Sequence, residues 1–171
     1  MRVKVIEKEV MDPLGETAAD KIEVMPVPSK INKISYFDNT KPNADVILAA
    51  IDESLDINGK KVEKPAGAGA TEEQLKDAAD ADVSIIAVGD CGSCSTWVIL
   101  DAIRLEKEGT PTISICSDNF MDYGRSLAKS HGADDLRIVE IKHPISGQKE
   151  ENVREKAAET IKEIKKLLNI N

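Results

Sequence analysis

The sequence predicts a doubly wound α/β sandwich of three layers, with a mainly parallel five-stranded sheet between two layers of helices. Three observations lead there. Apolar runs of strand length alternate repeatedly with segments of helical periodicity, the pattern of successive β–α units. Glycine and proline signals punctuate the joins, and no internal repeat or linker divides residues 31–171. The chain has 171 residues, 41% of them hydrophobic and mostly aliphatic, which suffices for one core without disulfides or metal.

Residues 1–30 stand apart as an extended N-terminal arm. Val3 and Val5 alternate with basic residues as in a short strand before the turn signal Asp12-Pro13-Leu14-Gly15, and Pro26 and Pro28 disfavour a helix. Such an arm packs on its own domain or on a neighbouring subunit of a homo-oligomer. The first strand is Ile34-Ser35-Tyr36-Phe37. Pro42 then opens a helix whose Ala44, Ile47, Leu48, Ile51 and Leu55 form one stripe. Lys60 to Lys64 is a weak strand, followed by the small-residue run Pro65 to Ala70. Thr71 with Gln74 three residues on is a capping-box pattern that starts the next helix.

Asp82 to Val88 reads as a buried strand, and Thr96 to Glu108 as the helix after it, with Val98, Ile99, Ala102 and Ile103 on one face and Gly109 near its end. Thr112 to Cys116 is the fourth strand, Met121 to Ser130 a helix, and Leu136 to Ile141 the fifth strand. The last helix carries Val153, Ala157, Ile161, Ile164 and Leu168 at helical spacing among Glu and Lys.

Composition excludes several classes of function. A formal net charge of -8 opposes general binding to nucleic acid or anionic membranes, and 3% aromatic residues provide little surface for stacking bases. No run approaches the roughly 20 apolar residues of a membrane span, and charges break the first residues too early for a signal peptide. A cytoplasmic protein is expected. Three cysteines, two close together and one distant, do not form a secreted disulfide framework.

The chemistry concentrates at Val88-Gly89-Asp90-Cys91-Gly92-Ser93-Cys94, between the third strand and its helix. Unpaired N–H groups and the positive end of the helix dipole stabilise a thiolate there. Cys-x-x-Cys spacing also puts two sulfurs within disulfide reach. Cys91 would attack an electrophilic substrate atom, and Cys94 would then attack the sulfur of the adduct. In an open sheet of the flavodoxin or Rossmann type, the loops after the strands gather along one edge. Those loops hold Asp38, Asn39 and Lys41, the 66–70 run, Gly92 and Ser93, Ser117, and His143. Asp38, Asn39, Lys41, Gly92, Ser93 and Ser117 are the candidate substrate-binding residues, and Cys91, Cys94 and His143 the catalytic ones. His143 is placed to donate a proton to a leaving group. His131, before Gly132, reads as a helix C-cap, and Trp97 as packing. For Asp90 two effects oppose: it can serve as a base or cap, but its charge disfavours a neighbouring thiolate.

A larger pattern includes this motif. Gly89-Asp90-Cys91-Gly92-Ser93-Cys94, then Asp101-Ala102, Leu105-Glu106-Lys107, Gly109-Thr110-Pro111, Ile115-Cys116-Ser117 and His143-Pro144, resembles the UGSC family of selenoproteins and their cysteine homologues. Asp12-Pro13 with Gly15-Glu16, and Asp38-Asn39 with Lys41 to Asp45, extend the likeness upstream. More distantly, the chain is similar to the selenoprotein subunit of the glycine, sarcosine and betaine reductases. There the selenol displaces an amine from the carbon beside a carboxylate, and a pyruvoyl-bearing partner holds the amine. The resemblance implies a reductase-like protein with Cys91 at the selenocysteine position and Cys94 at the paired one. Trp97 stands where relatives often carry a further cysteine.

The expected function is thus thiol-based reduction of a small, carboxylate-bearing molecule, reset by an external thiol or a thioredoxin-type redox partner protein. The alternative is a non-catalytic or metal-binding subunit of a larger reductase. In that case Cys91, Cys94, Cys116 and His143 would hold zinc or an iron–sulfur cluster. Cys116, ending an apolar strand, is equally readable as a buried inert thiol.

Overall fold

The computed structural model describes residues 20–170. The five strands are β1 (Lys33–Asp38), β2 (Asn58–Glu63), β3 (Val83–Gly89), β4 (Thr112–Ser117) and β5 (Ile138–Ile141). All their pairings are parallel, in the order β2-β1-β3-β4-β5. The helices are α1 (Ala44–Leu55), α2 (Glu72–Ala79), α3 (Gly92–Lys107), α4 (Met121–Ser130) and α5 (Glu150–Leu167). This is the doubly wound order in which β1 and β3 run side by side while their connections leave in opposite directions.

Two apolar clusters line the two faces of the sheet. On one, Ile34, Ile85, Ile113, Ile115 and Val139 meet Ile47, Leu48 and Ile51 of α1 and Val153, Ala157 and Ile164 of α5. On the other, Phe37, Ile86 and Ile138 meet Leu75 of α2, Val98, Ile99 and Ala102 of α3, and Ala128 of α4. Burial follows position in the sheet. Every residue of β3 and β4 is buried, whereas Val62 alone is buried in the edge strand β2. Central parallel strands covered on both faces need continuous apolar runs, which is why β3 was plain in the sequence and β2 faint.

Most element boundaries agree with the sequence reading, and the departures have local causes. Thr71 and Gln74 form the expected capping box at the start of α2. Gly109, at φ 94°, follows the α3 cap in a conformation that favours glycine. The third helix begins at Gly92, earlier than the expected Thr96, because the Cys91 sulfur accepts the Cys94 N–H and so acts as the cap. Cys94 therefore lies within the first helical turn.

The arm's expected strand at Val3 and Val5 and its turn at Asp12-Pro13 lie outside the described residues. Residues 20–30 have no helix or strand, and they run along this chain's own surface. The Ile22 amide donates to the Gly132 carbonyl, the Met25 amide to Glu106, and Arg137 to the Met25 carbonyl. The Asp20 backbone lies so near Gly132 that a Cβ there would collide with its carbonyl oxygen. Only glycine fits.

Candidate functional site

The site is built on a local irregularity in β3. Ile86 pairs with Ser114 and Gly89 with Cys116, so β3 uses one more residue than β4 over the same span. A bulge of this kind leaves backbone groups unpaired and turns the chain at a strand end. Asn39 meets that need. Its carboxamide oxygen accepts the Val88 N–H at 3.0 Å, and its amide nitrogen donates to the Val88 carbonyl at 2.9 Å. Asn39 is wholly buried. The structure thus places this expected substrate ligand as a clamp between β1 and β3.

Beyond Gly89 the chain turns into α3 through Asp90 and Cys91. Cys91 is partly exposed and Cys94 fully buried, with their sulfurs in contact and their Cα atoms 5.4 Å apart. That separation lies within the roughly 4.4–6.8 Å that a disulfide spans. Each sulfur also faces a backbone donor at 3.3 Å. The Cys94 N–H points at the Cys91 sulfur, and the Asp90 N–H at the Cys94 sulfur. Gly92 and Ser93 are exposed on the first turn of α3, with the Ser93 hydroxyl 3.6 Å from the Cys91 sulfur.

Asp90 resolves the ambiguity left by the sequence. Its side chain is 2% exposed and turned toward the loop after β5. One carboxylate oxygen accepts the amides of Ile145 and Ser146, each at 3.1 Å, and the other meets His143 Nδ1 at 2.8 Å. Burial works against ionisation, but the Ser146 amide, the Ser117 hydroxyl, the Ile145 amide and His143 outweigh it, and the pKa lies below the usual carboxylate value. Ser117, fully buried, bridges the two: its hydroxyl lies 3.3 Å from His143 Nδ1 and 3.4 Å from the Gly89 carbonyl. The Asp118 carboxylate fixes the His143 backbone by accepting its N–H. With Nδ1 held, Nε2 is the ring atom left for proton exchange.

The remaining expected residues divide by accessibility. Asp38 is buried, accepts the Thr40 N–H and lies 3.5 Å from the Lys61 ammonium. Burial raises its pKa. Lys41 is half-buried, and its ammonium forms no ion pair among the described residues. Asn43 joins this loop to the last one by donating to the carbonyls of Ile145 and Gln148.

Cys116 is buried beneath the site against Gly89 and Gly124, and burial pushes its pKa up to about 12. Cys91, Cys94, Cys116 and His143 do not assemble into the alternative metal site. Among the described residues no three His, Cys, Asp or Glu side chains are grouped to hold an ion. The physical reason is that Cys116 packs within the α3–α4 core cluster while His143 points along the strand edge toward Asp90. His131 occupies the C-cap of α4 as expected.

Sequence reasoning missed one group outright. Lys64, at the end of β2, has its ammonium wholly buried against Asp101 of α3 at 2.7 Å, and it donates to the Ala68 carbonyl. Burial lowers its pKa, the Asp101 contact opposes that, and Arg104 adds to the lowering. Asp101 also accepts the Ala70 N–H, so the pair pins the 65–70 loop across Trp97, whose ring lies close under Gly69. A carboxylate beside Val98, Ile99 and Ala102 on the apolar face of a helix was the available signal.

A cavity of about 570 Å³ between residues 20–23, Met25, Glu106, Lys107 and His131 involves none of the cysteines, Asp90 or His143. No helix is long and apolar enough to cross a membrane among the described residues.

Comparison with known proteins places the chain in a family. No curated protein matches the chain. Among solved structures, the Streptococcus pneumonia TIGR4 flavodoxin aligns over 77% of this chain and 96% of its own, at 16% identity and a TM-score of 0.46. The model of the UGSC family matches residues 9–170, nearly the whole length, a span that contains Cys91, Cys94 and His143. The chain belongs to the UGSC family.

Proposed function

We propose that the protein is a thiol-dependent reductase in which Cys91 is the nucleophile, Cys94 the resolving thiol and His143 the proton donor. The carrying observation is the asymmetry of the pair: the sulfur of a partly exposed cysteine caps α3 and touches a buried one, directly after a buried carboxylate that holds a histidine. The Cys91 thiolate attacks a carbon that bears a leaving group. A carbon–sulfur bond forms, the bond to the leaving group breaks, and His143, entering the step protonated on both ring nitrogens, passes its Nε2 proton to the leaving group and keeps the Nδ1 proton on Asp90. The Cys94 thiolate then attacks the Cys91 sulfur. The S–S bond forms, the carbon–sulfur bond breaks, and the carbon departs with that electron pair and takes up a proton. The substrate gains two electrons, and the dithiol becomes a disulfide.

An external dithiol of thioredoxin type restores the starting state by exchange at the sulfur of the partly exposed Cys91. The substrate class follows from the rim. The first N–H groups of α3 at Gly92 and Ser93 and the Lys41 ammonium suit a carboxylate beside the reacting carbon. An activated small carboxylate fits these groups.

Mass spectrometry of anaerobically purified protein tests the scheme. Incubation with α-halo carboxylates should leave a stable adduct on Cys91 in Cys94→Ser, and a disulfide with dehalogenated product in the wild type. Adducts on Cys94 instead, or a wild-type protein that accumulates the adduct without a disulfide, would reverse or remove the assigned roles.

A further inference from the structure

An aromatic side chain beside the site stands where local preference would not put it. Phe120 closes the 3₁₀ turn Asp118–Phe120 and is the N-cap of α4, at φ −117° and ψ 4°. An oxygen-bearing side chain in that position would accept one of the first N–H groups of the helix, and phenylalanine forgoes that bond. Core packing does not account for it. Phe120 is only partly buried and belongs to neither of the two apolar clusters among the described residues, although phenylalanine ordinarily goes to a core.

What the ring meets is His143. The two ring centroids lie 6.1 Å apart with their planes tilted by 55°, within the range of a stabilising aromatic pair. The same short turn also holds the histidine's main chain. One oxygen of the Asp118 carboxylate accepts the His143 N–H at 2.9 Å, and the other faces the Lys142 ammonium. The side-chain torsion next to an imidazole has broad wells, so a hydrogen bond at one nitrogen leaves the ring free to swing, and the His143 side chain is 30% exposed. Asp90 holds Nδ1 and Asp118 the backbone, while Phe120 bounds the ring itself.

We propose that Phe120 is a positioning residue for His143, holding the imidazole so that Nδ1 stays on Asp90 and Nε2 stays free for proton transfer. Its importance for turnover rests on the proton-donor role proposed for His143. A capping bond lost at α4 is then offset by an ordered ring at the site. Phe120 acts through the histidine and carries no proton.

NMR of the reduced full chain with ¹⁵N-labelled histidine tests this in Phe120→Leu and Phe120→Tyr. Leucine keeps apolar bulk without a ring, and tyrosine keeps the ring. In wild type and Phe120→Tyr a carbon-bound proton of the His143 ring should carry a ring-current shift that Phe120→Leu loses, while His131, the other histidine, is unmoved. Exchange of the Nδ1 proton with water should be roughly two- to tenfold faster in Phe120→Leu, the equivalent of one aromatic pair, with unchanged circular dichroism. Both signals are read without any reaction of Cys91, so they decide the placement of the ring whether or not the reductase scheme holds. Alkylation of Cys91 by iodoacetamide, which releases iodide and needs no proton, should be unchanged in Phe120→Leu; a slowing in step with the histidine change would mean that the substitution disturbs the sulfur turn instead. His143 signals equal to wild type in a folded Phe120→Leu protein, equal displacement of His131, or a Phe120→Tyr protein that behaves like Phe120→Leu would overturn the proposal.

Discussion

Asp90→Asn is the substitution that separates a structural carboxylate from one that also sets the state of His143. In the wild type the charge of Asp90 faces the amides of Ile145 and Ser146, the Ser117 hydroxyl and His143 Nδ1. Asparagine keeps a neutral oxygen for the two amides, and its own NH₂ group must then face Nδ1. A hydrogen bond to a charged acceptor contributes roughly 1 kcal/mol more than one to a neutral acceptor. Two amides weakened by that amount, with little added for a histidine partly open to solvent, give a loss of about 2 kcal/mol. Urea unfolding at pH 7 measures it. The sign of the pH dependence is also fixed. The folded pKa of Asp90 lies below its usual 3.8, so its stabilisation is present above that value and is lost as pH falls through the folded pKa. The gap between wild type and variant should therefore close in acid. The side-chain NH₂ introduced by the substitution would also force Nδ1 to accept, moving the ring proton to Nε2, which ¹⁵N chemical shifts of His143 detect. An unfolding free energy within about 0.5 kcal/mol of wild type, with an unchanged tautomer, would refute the reasoning.

Three further outcomes are expected. In reduced native protein at pH 8, iodoacetamide should modify Cys91 much faster than Cys94 and leave Cys116 untouched until denaturant is added; rapid native labelling of Cys116 would contradict its burial and raised pKa. Lys64→Met leaves Asp101 buried with only the Ala70 amide and Arg104, and should cost about 3 kcal/mol by chemical denaturation, with Lys64→Met/Asp101→Leu recovering part of the loss. Asn39→Ala strips both partners from the Val88 backbone and should cost about 2 to 3 kcal/mol, accompanied by faster amide exchange at Val88; a loss below about 0.5 kcal/mol would remove its role as a clamp.

The elements legible in the sequence were those whose pattern has a single physical reading. Continuous aliphatic runs gave β3 and β4, and the Thr71–Gln74 pair gave the start of α2, because burial on two faces and reciprocal capping leave little choice of residue. The start of α3 was misread by four residues because a cysteine sulfur is a rare cap. Within the candidate site, Cys91, Cys94 and His143 were singled out by type and spacing, but the contacts that hold them were not legible. Asp90 serves His143, Ile145 and Ser146, more than fifty positions away, and Asn39 serves Val88, forty-nine positions away. Such pairings depend on how parallel strands place their ends, and a linear pattern carries no term for that. The Lys64–Asp101 pair was half hidden for the same reason: Asp101 stands on an apolar helix face, but Lys64 looks solvated until the fold brings its ammonium to that carboxylate.

The orientation of Asp90 bears on how sulfur reactivity arises in this fold. A carboxylate one residue before Cys91 would ordinarily oppose a thiolate there. Here its charge is spent on His143 and two amides of another loop, while its own N–H points the other way, at the Cys94 sulfur. The Cys94 N–H points in turn at the Cys91 sulfur. In the proposed cycle negative charge rests first on Cys91 and then on Cys94, and a fixed backbone donor faces each sulfur at its turn. Neither donor has to move, so neither thiolate must be stabilised at the expense of the other. Replacing Asp90 should therefore affect His143 and fold stability far more than the alkylation rate of Cys91, since the backbone donors remain when the side chain changes. A Cys91 that reacts more than tenfold faster in Asp90→Asn would show that the carboxylate charge does reach the sulfur.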